Sequence, residues 1–125
     1  MMTTLPYVAL GGAIGAVGRY GVNVTAMRLF GPGFPWGTVA VNVLGSFLMG
    51  VMVVLLAHKG DMRFAPFLMT GVLGGFTTFS AFSLDAVTLF ERGELVQAAV
   101  YIVGTVLVAL LAIIAGMALT RMVLT

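Results

Sequence analysis

The chain has 125 residues, of which 61% are hydrophobic and only 8% charged, with a formal net charge of +2. Soluble domains carry about 25% charged residues, so this composition, with a mean hydropathy of +1.16, excludes an ordinary soluble domain. Cysteine is absent, which excludes a disulfide framework and a thiolate metal site.

Four apolar runs follow one another, each long enough to cross a hydrocarbon core about 30 Å thick. They predict an all-α integral membrane protein of one domain, residues 1–125, with helices over 5–29, 36–57, 64–90 and 95–122 and only short connections. No basic segment precedes the first run, since the first charged side chain is Arg19; the run therefore reads as a permanent helix and not as a signal peptide.

The first helix contains Gly11, Gly12, Gly15, Gly18 and Gly21. The Gly11–Gly15 spacing makes a small-xxx-small face for close helix packing. Phe30-Gly31-Pro32-Gly33-Phe34-Pro35 forms the next turn, and Trp36 opens the second helix as an interfacial anchor. The polar stretch His58-Lys59-Gly60-Asp61-Met62-Arg63 ends it.

The third segment holds Gly74-Gly75-Phe76-Thr77-Thr78-Phe79-Ser80-Ala81-Phe82-Ser83 in its middle. Two adjacent glycines and a cluster of hydroxyls predict a broken helix. Non-helical backbone at membrane depth is tolerated only against protein or a watery cavity, so function is expected here. Two readings of the break stand. It is a packed kink with threonine hydroxyls bonding the preceding turn, or its carbonyls and those of a second copy surround a small hard cation. Glu91-Arg92-Gly93-Glu94 makes the last turn before the fourth helix.

With four spans, Lys59, Arg63 and Arg121 fall on one side and Arg28 and Arg92 on the other. Three against two is almost no bias for a rule that counts basic residues at helix ends, so insertion in both orientations is expected. Two oppositely oriented copies pair about an axis in the membrane plane, an antiparallel homodimer. The six scattered basic residues behind a pI of 9.5 suit anionic lipid headgroups and give no reason to invoke nucleic acid.

Each polar residue within a span has two readings. Asn42 offers two N–H donors to an anion or water, or makes an interhelical hydrogen bond. Arg19 lines a vestibule or snorkels to an interface. Asp85 pairs with an arginine, caps a half-helix or carries a proton. Tyr101 and Thr105, one turn apart, form a polar track or pack between helices. Phe79 and Phe82 have the spacing of core residues, but they alternate with Thr77, Thr78, Ser80 and Ser83. A ring edge is electropositive, so an edge-on phenylalanine among hydroxyls is a dry partner for a small anion. An enzyme is not expected, because His58 is the only histidine and has no nucleophile around it.

Three segments together resemble the Fluc/CrcB family of fluoride channels: Gly11-Gly12-Ala13-Ile14-Gly15-Ala16 leading to Arg19-Tyr20; Gly37-Thr38 through Val41-Asn42 to Gly45-Ser46-Phe47; and Gly71-Val72-Leu73 running into the 74–83 cluster. The resemblance covers the whole chain in length, helix count and motif order. It implies an antiparallel dual-topology homodimer in the inner (plasma) membrane that passively exports fluoride, relieving its toxicity. It also implies a structural sodium ion, not itself transported, held at the dimer centre by backbone carbonyls that fall by motif position on Gly75 and Thr78. Phe79 and Phe82 would face fluoride and Asn42 would be the pore amide. Arg19, Thr38, Ser80, Ser83, Tyr101 and Thr105 carry over to a vestibule or polar track. Two positions depart from the family: Asp85 stands where a glutamate is usual, and Ala109 lacks a hydroxyl that some members carry. A small proton-coupled drug exporter is the competing class, but it needs an acidic residue in the first helix, and none is present.

Overall fold

The computed structural model describes residues 2–125, and all regular structure among them is helical. Helix α1 spans Leu5–Phe30 and α2 spans Trp36–Lys59. The third span begins as α3, wound with π geometry over Pro66–Leu73 and continuing as an α turn over Gly74–Phe76. After a break comes α4, Ser80–Glu91, and then α5, Leu95–Leu124. Glycines of positive φ close α2 at Gly60 (68°) and the α4–α5 turn at Gly93 (82°). This left-handed conformation lets a chain leave a helix without a Cβ clash.

Three spans are long and apolar enough to cross a membrane: Trp36–Lys59, Pro66–Glu91 and Leu95–Leu124. Helix α1 has the length, 26 residues, or about 39 Å at 1.5 Å per residue. Its five glycines, with Arg19 and Asn23, make it less apolar than the other three. Much of the surface is large apolar side chain, including Val17, Leu84, Val96, Leu111 and Val123. Such a surface suits lipid and not water.

The helices pack mainly as two pairs, α1 with α3 and α2 with α5. Both rest on glycine. A Cβ built on Gly11 would lie 2.9 Å from the Cα of Gly71, and one on Gly75 would lie 2.6 Å from the carbonyl oxygen of Gly12. The expected small-residue face of α1 is thus real, and its partner is the first half of the broken span. In the other pair Gly50 and Gly116 bring α2 and α5 backbone to backbone. Helix α4 docks on α5 through a small core of Phe82, Ala86, Leu89, Ala98 and Tyr101.

The break falls at the C-terminal end of the Gly74–Thr78 stretch in which the sequence placed it, and not at its glycine pair. Gly74 is helical, with φ −63° and ψ −37°, and the chain leaves the helix at Thr77, with φ −85° and ψ 159°. Gly75 instead provides clearance against α1, so the non-helical residues are 77–79. Outside the spans, Arg63 and Asp61 form the one ion pair among the described residues, at 3.0 Å. The hydrogen bonds from Arg63 hold the Asp61 carboxyl below its ordinary value.

Candidate ion-conducting groove at the helix break

An interrupted helix leaves backbone groups that must find partners elsewhere. Asn42 of α2 supplies them for residue 78. Its Oδ1 accepts the Thr78 N–H at 2.8 Å, and its Nδ2 donates to the Thr78 carbonyl at 2.9 Å. Arg19 of α1 supplies the second partner, its Nε–H donating to the Gly75 carbonyl at 3.1 Å. Thr77 turns its hydroxyl back to the Leu73 carbonyl at 2.9 Å, which is the kink reading of the threonines. The Thr78 hydroxyl accepts from the Ala81 N–H at 3.2 Å, in the first turn of α4.

Beside the break lies an open groove of about 260 Å³, lined by Asn42, Ser46, Thr77, Thr78, Phe79, Phe82, Thr105, Val106 and Ala109. None of these residues is ionisable. The groove sits at the N-terminal end of α4, where the helix dipole presents its positive end. One of the two Nδ2 protons of Asn42 is used on Thr78, which leaves the other for the groove. Phe79 is 77% exposed while Phe82 is 8% exposed, with ring centroids 5.7 Å apart at 40°. Ala109 and Val106 make the far wall apolar, at the position where a hydroxyl was missed in the sequence.

A second cavity of about 310 Å³ opens near the α1–α2 turn, and its lining includes Asn23, Thr38, Asp85, Thr88 and Arg92. Between the two cavities stands a polar knot. Thr38 and Tyr101 both donate to Oδ2 of Asp85, at 2.7 and 3.1 Å, joining α2, α4 and α5. Rings run alongside it, with Phe82–Tyr101 centroids at 5.1 Å and Phe34–Tyr101 edge-on at 5.5 Å and 90°.

The predicted residues therefore divide. Asn42, Thr78, Phe79, Phe82 and Thr105 share the groove, while Thr38 and Tyr101 form the knot. Arg19 and Gly75 meet each other behind the groove and line neither cavity. Ser80 is exposed, and Ser83 bonds back to the Phe79 carbonyl at 3.0 Å; neither lines a cavity. Sequence reasoning left out Ser46, Thr77 and Asn23 as site residues. Ser46 was legible as the residue one helical turn after Asn42, on the same face.

The carbonyls of Gly75 and Thr78 are the candidate cation ligands. Neither accepts a backbone N–H, and each carries one side-chain donor, so each keeps one acceptor direction. Neutral oxygens with spare capacity and no nearby cluster of His, Cys, Asp or Glu fit a monovalent hard cation. Two oxygens fall well short of the six or so that hard cations take, and a second copy would bring the number to four.

Fold and groove together define a small helical membrane protein with a discontinuous span, whose broken backbone faces a neutral, donor-lined groove. Comparison with known proteins makes this particular. The chain belongs to the family described as CrcB-like protein, Camphor Resistance (CrcB), which matches residues 6–117. A protein of Cereibacter sphaeroides named "Fluoride-specific ion channel FluC" is 65% identical over 121 residues, covering 97% of each chain. Proteins of the same name from Ruegeria sp. and Paracoccus denitrificans are 59% identical over 126 residues and 55% over 121, covering 100% and 97% of both chains.

Proposed function

We propose that the chain is a fluoride-selective channel that lets fluoride leave the cell passively, relieving its toxicity. It works as an antiparallel homodimer of four-span protomers inserted in both orientations in the plasma membrane. The observation that carries this reading is the groove at the helix break. It gathers an amide N–H, three threonine hydroxyls, a serine hydroxyl, two phenylalanine rings and a helix N-terminus around a space that contains no ionisable group. The names of relatives up to 65% identical support the choice of fluoride.

Fluoride is small and tightly hydrated, so a pore must replace its water with several donors and dipoles while binding weakly enough for exit. The hydroxyls of Ser46, Thr78 and Thr105 and one amide proton meet that need without a fixed cation that would trap the ion, while Thr77 spends its own proton on the Leu73 carbonyl. Phe79 and Phe82 exclude water, and their ring edges present partial positive charge. The Asp85 knot holds α2, α4 and α5 together beyond Phe82.

The groove's open side and Phe79, a ring 77% exposed beside polar groups, support a second copy. Polar backbone cannot face lipid. An inverted copy would cover that side and double the carbonyl set at Gly75 and Thr78. A sodium ion held there would supply positive charge that lowers the cost of bringing anions into the dimer. The exporter class finds no support: α1 carries no acid, and the acids within the spans are Glu91, at the very end of its span, and Asp85, whose Oδ2 already accepts two hydroxyls.

The test is efflux from liposomes holding the purified protein, read with ion-selective electrodes for fluoride and chloride. Rapid fluoride loss with chloride retained is expected. Equal loss of both, or retention of both by liposomes that contain folded dimer, would overturn the reading.

A further inference from the structure

Arg19 is a half-buried guanidinium with an unusual partner. Its one hydrogen bond goes to a backbone carbonyl, that of Gly75, at 3.1 Å, and the one ion pair among the described residues is elsewhere. The local reason is geometric. Gly15, one turn earlier on the same face of α1, lets the helix run against the backbone of residues 72–76, so the arginine stem reaches the C-terminal end of α3. That end carries partial negative charge, which attracts a cation wherever one is available.

We propose that Arg19 sets how tightly the helix break holds a cation, because it shares a ligand with it. The inference rests on the sodium reading given above. The guanidinium takes one of the two acceptor directions of the Gly75 oxygen and places a like charge beside the other. In a single copy it neutralises the open end of α3. In the paired protein it opposes sodium, so the site holds the ion more weakly than bare carbonyls would.

The experiment titrates sodium against N-methylglucamine at constant ionic strength and reads the melting of the purified dimer, with no transport measured. Arg19→Gln keeps an N–H donor but removes the charge. Its half-maximal stabilisation is expected at about tenfold less sodium or lower still, the scale of one like charge a few ångströms away. Arg19→Lys keeps the charge and should titrate near the wild type. Coincident titrations of Arg19→Gln and wild type overturn the proposal. So does an Arg19→Gln dimer that fails to assemble even at saturating sodium, because the guanidinium then acts as a structural donor alone. A wild-type dimer indifferent to sodium after exhaustive removal of trapped ion refutes the sodium reading itself, which separates that failure from the others.

Discussion

One side chain, Asn42, satisfies both backbone groups of one residue, Thr78, at 2.8 and 2.9 Å. The amide does for residue 78 what the missing helical turn would have done, and the chemistry sets its orientation, because N–H requires oxygen and C=O requires NH₂. The two readings of Asn42 are therefore compatible: it is an interhelical bond and keeps one N–H for the groove.

Replacing Asn42 with Ala should leave both Thr78 groups without their partner, at about 1–3 kcal/mol for each group that water does not reach. Asn42→Asp should be no better, since a carboxylate oxygen then faces the Thr78 carbonyl. Thermal melting should fall for both variants and fluoride flux should be lost. Unchanged melting of Asn42→Ala would mean that the clamp contributes nothing.

Phe79→Ile and Phe82→Ile should each reduce fluoride flux sharply while the dimer still forms, because isoleucine keeps bulk but has no ring quadrupole. A rise of about 2 kcal/mol in the barrier slows flux about thirtyfold. Their stability effects should differ: Phe82 is packed on Tyr101 and Phe79 is open, so only Phe82→Ile should lower the melting temperature measurably. Wild-type flux through both variants would sink the ring-edge mechanism.

Tyr101→Phe and Thr38→Val each remove one donor from Oδ2 of Asp85, at a cost of about 0.5–1.5 kcal/mol for an ordinary hydrogen bond. The double variant should cost less or more than the sum, because the two share an acceptor. Strict additivity in melting measurements would show that the knot is not a unit.

Replacing sodium with a large organic cation should lower dimer stability or fluoride flux, and no sodium current should appear at any voltage. A measurable sodium current would contradict a structural role.

One lysine added at either end of the chain should fix the orientation, because the existing bias is three basic residues against two. Accessibility of tags at both termini checks this. If the native chain already sits wholly one way up, the antiparallel dimer fails.

The side chain of Thr78 shows how far backbone reasoning from sequence reaches. Read as a carbonyl ligand, residue 78 looks indifferent to its side chain. Yet its hydroxyl accepts the Ala81 N–H near the start of α4, and such a hydrogen bond contributes about 1 kcal/mol. Thr78→Ala is therefore expected to lower stability by about that amount.

Membrane residence, helix count and the existence of a break were legible in the chain alone, because hydrocarbon imposes a length, an apolar composition and complete backbone hydrogen bonding on anything that crosses it. The small-residue face of α1 was legible for the same kind of reason, since glycine spacing dictates how close two backbones come. Where within the stretch from Gly74 to Thr78 the helix ends was not. Glycine at 74–75 serves either a hinge or a close contact, and only the approach of α1 to Gly75 shows that the glycines stay helical and the break takes up 77–79. Nor does spacing reveal that Asn42 clamps Thr78, that Arg19 reaches Gly75, or that Thr38 and Tyr101 meet on one oxygen of Asp85. These pairs lie 36, 56, 47 and 16 residues apart, and what joins them is the crossing of helices in space.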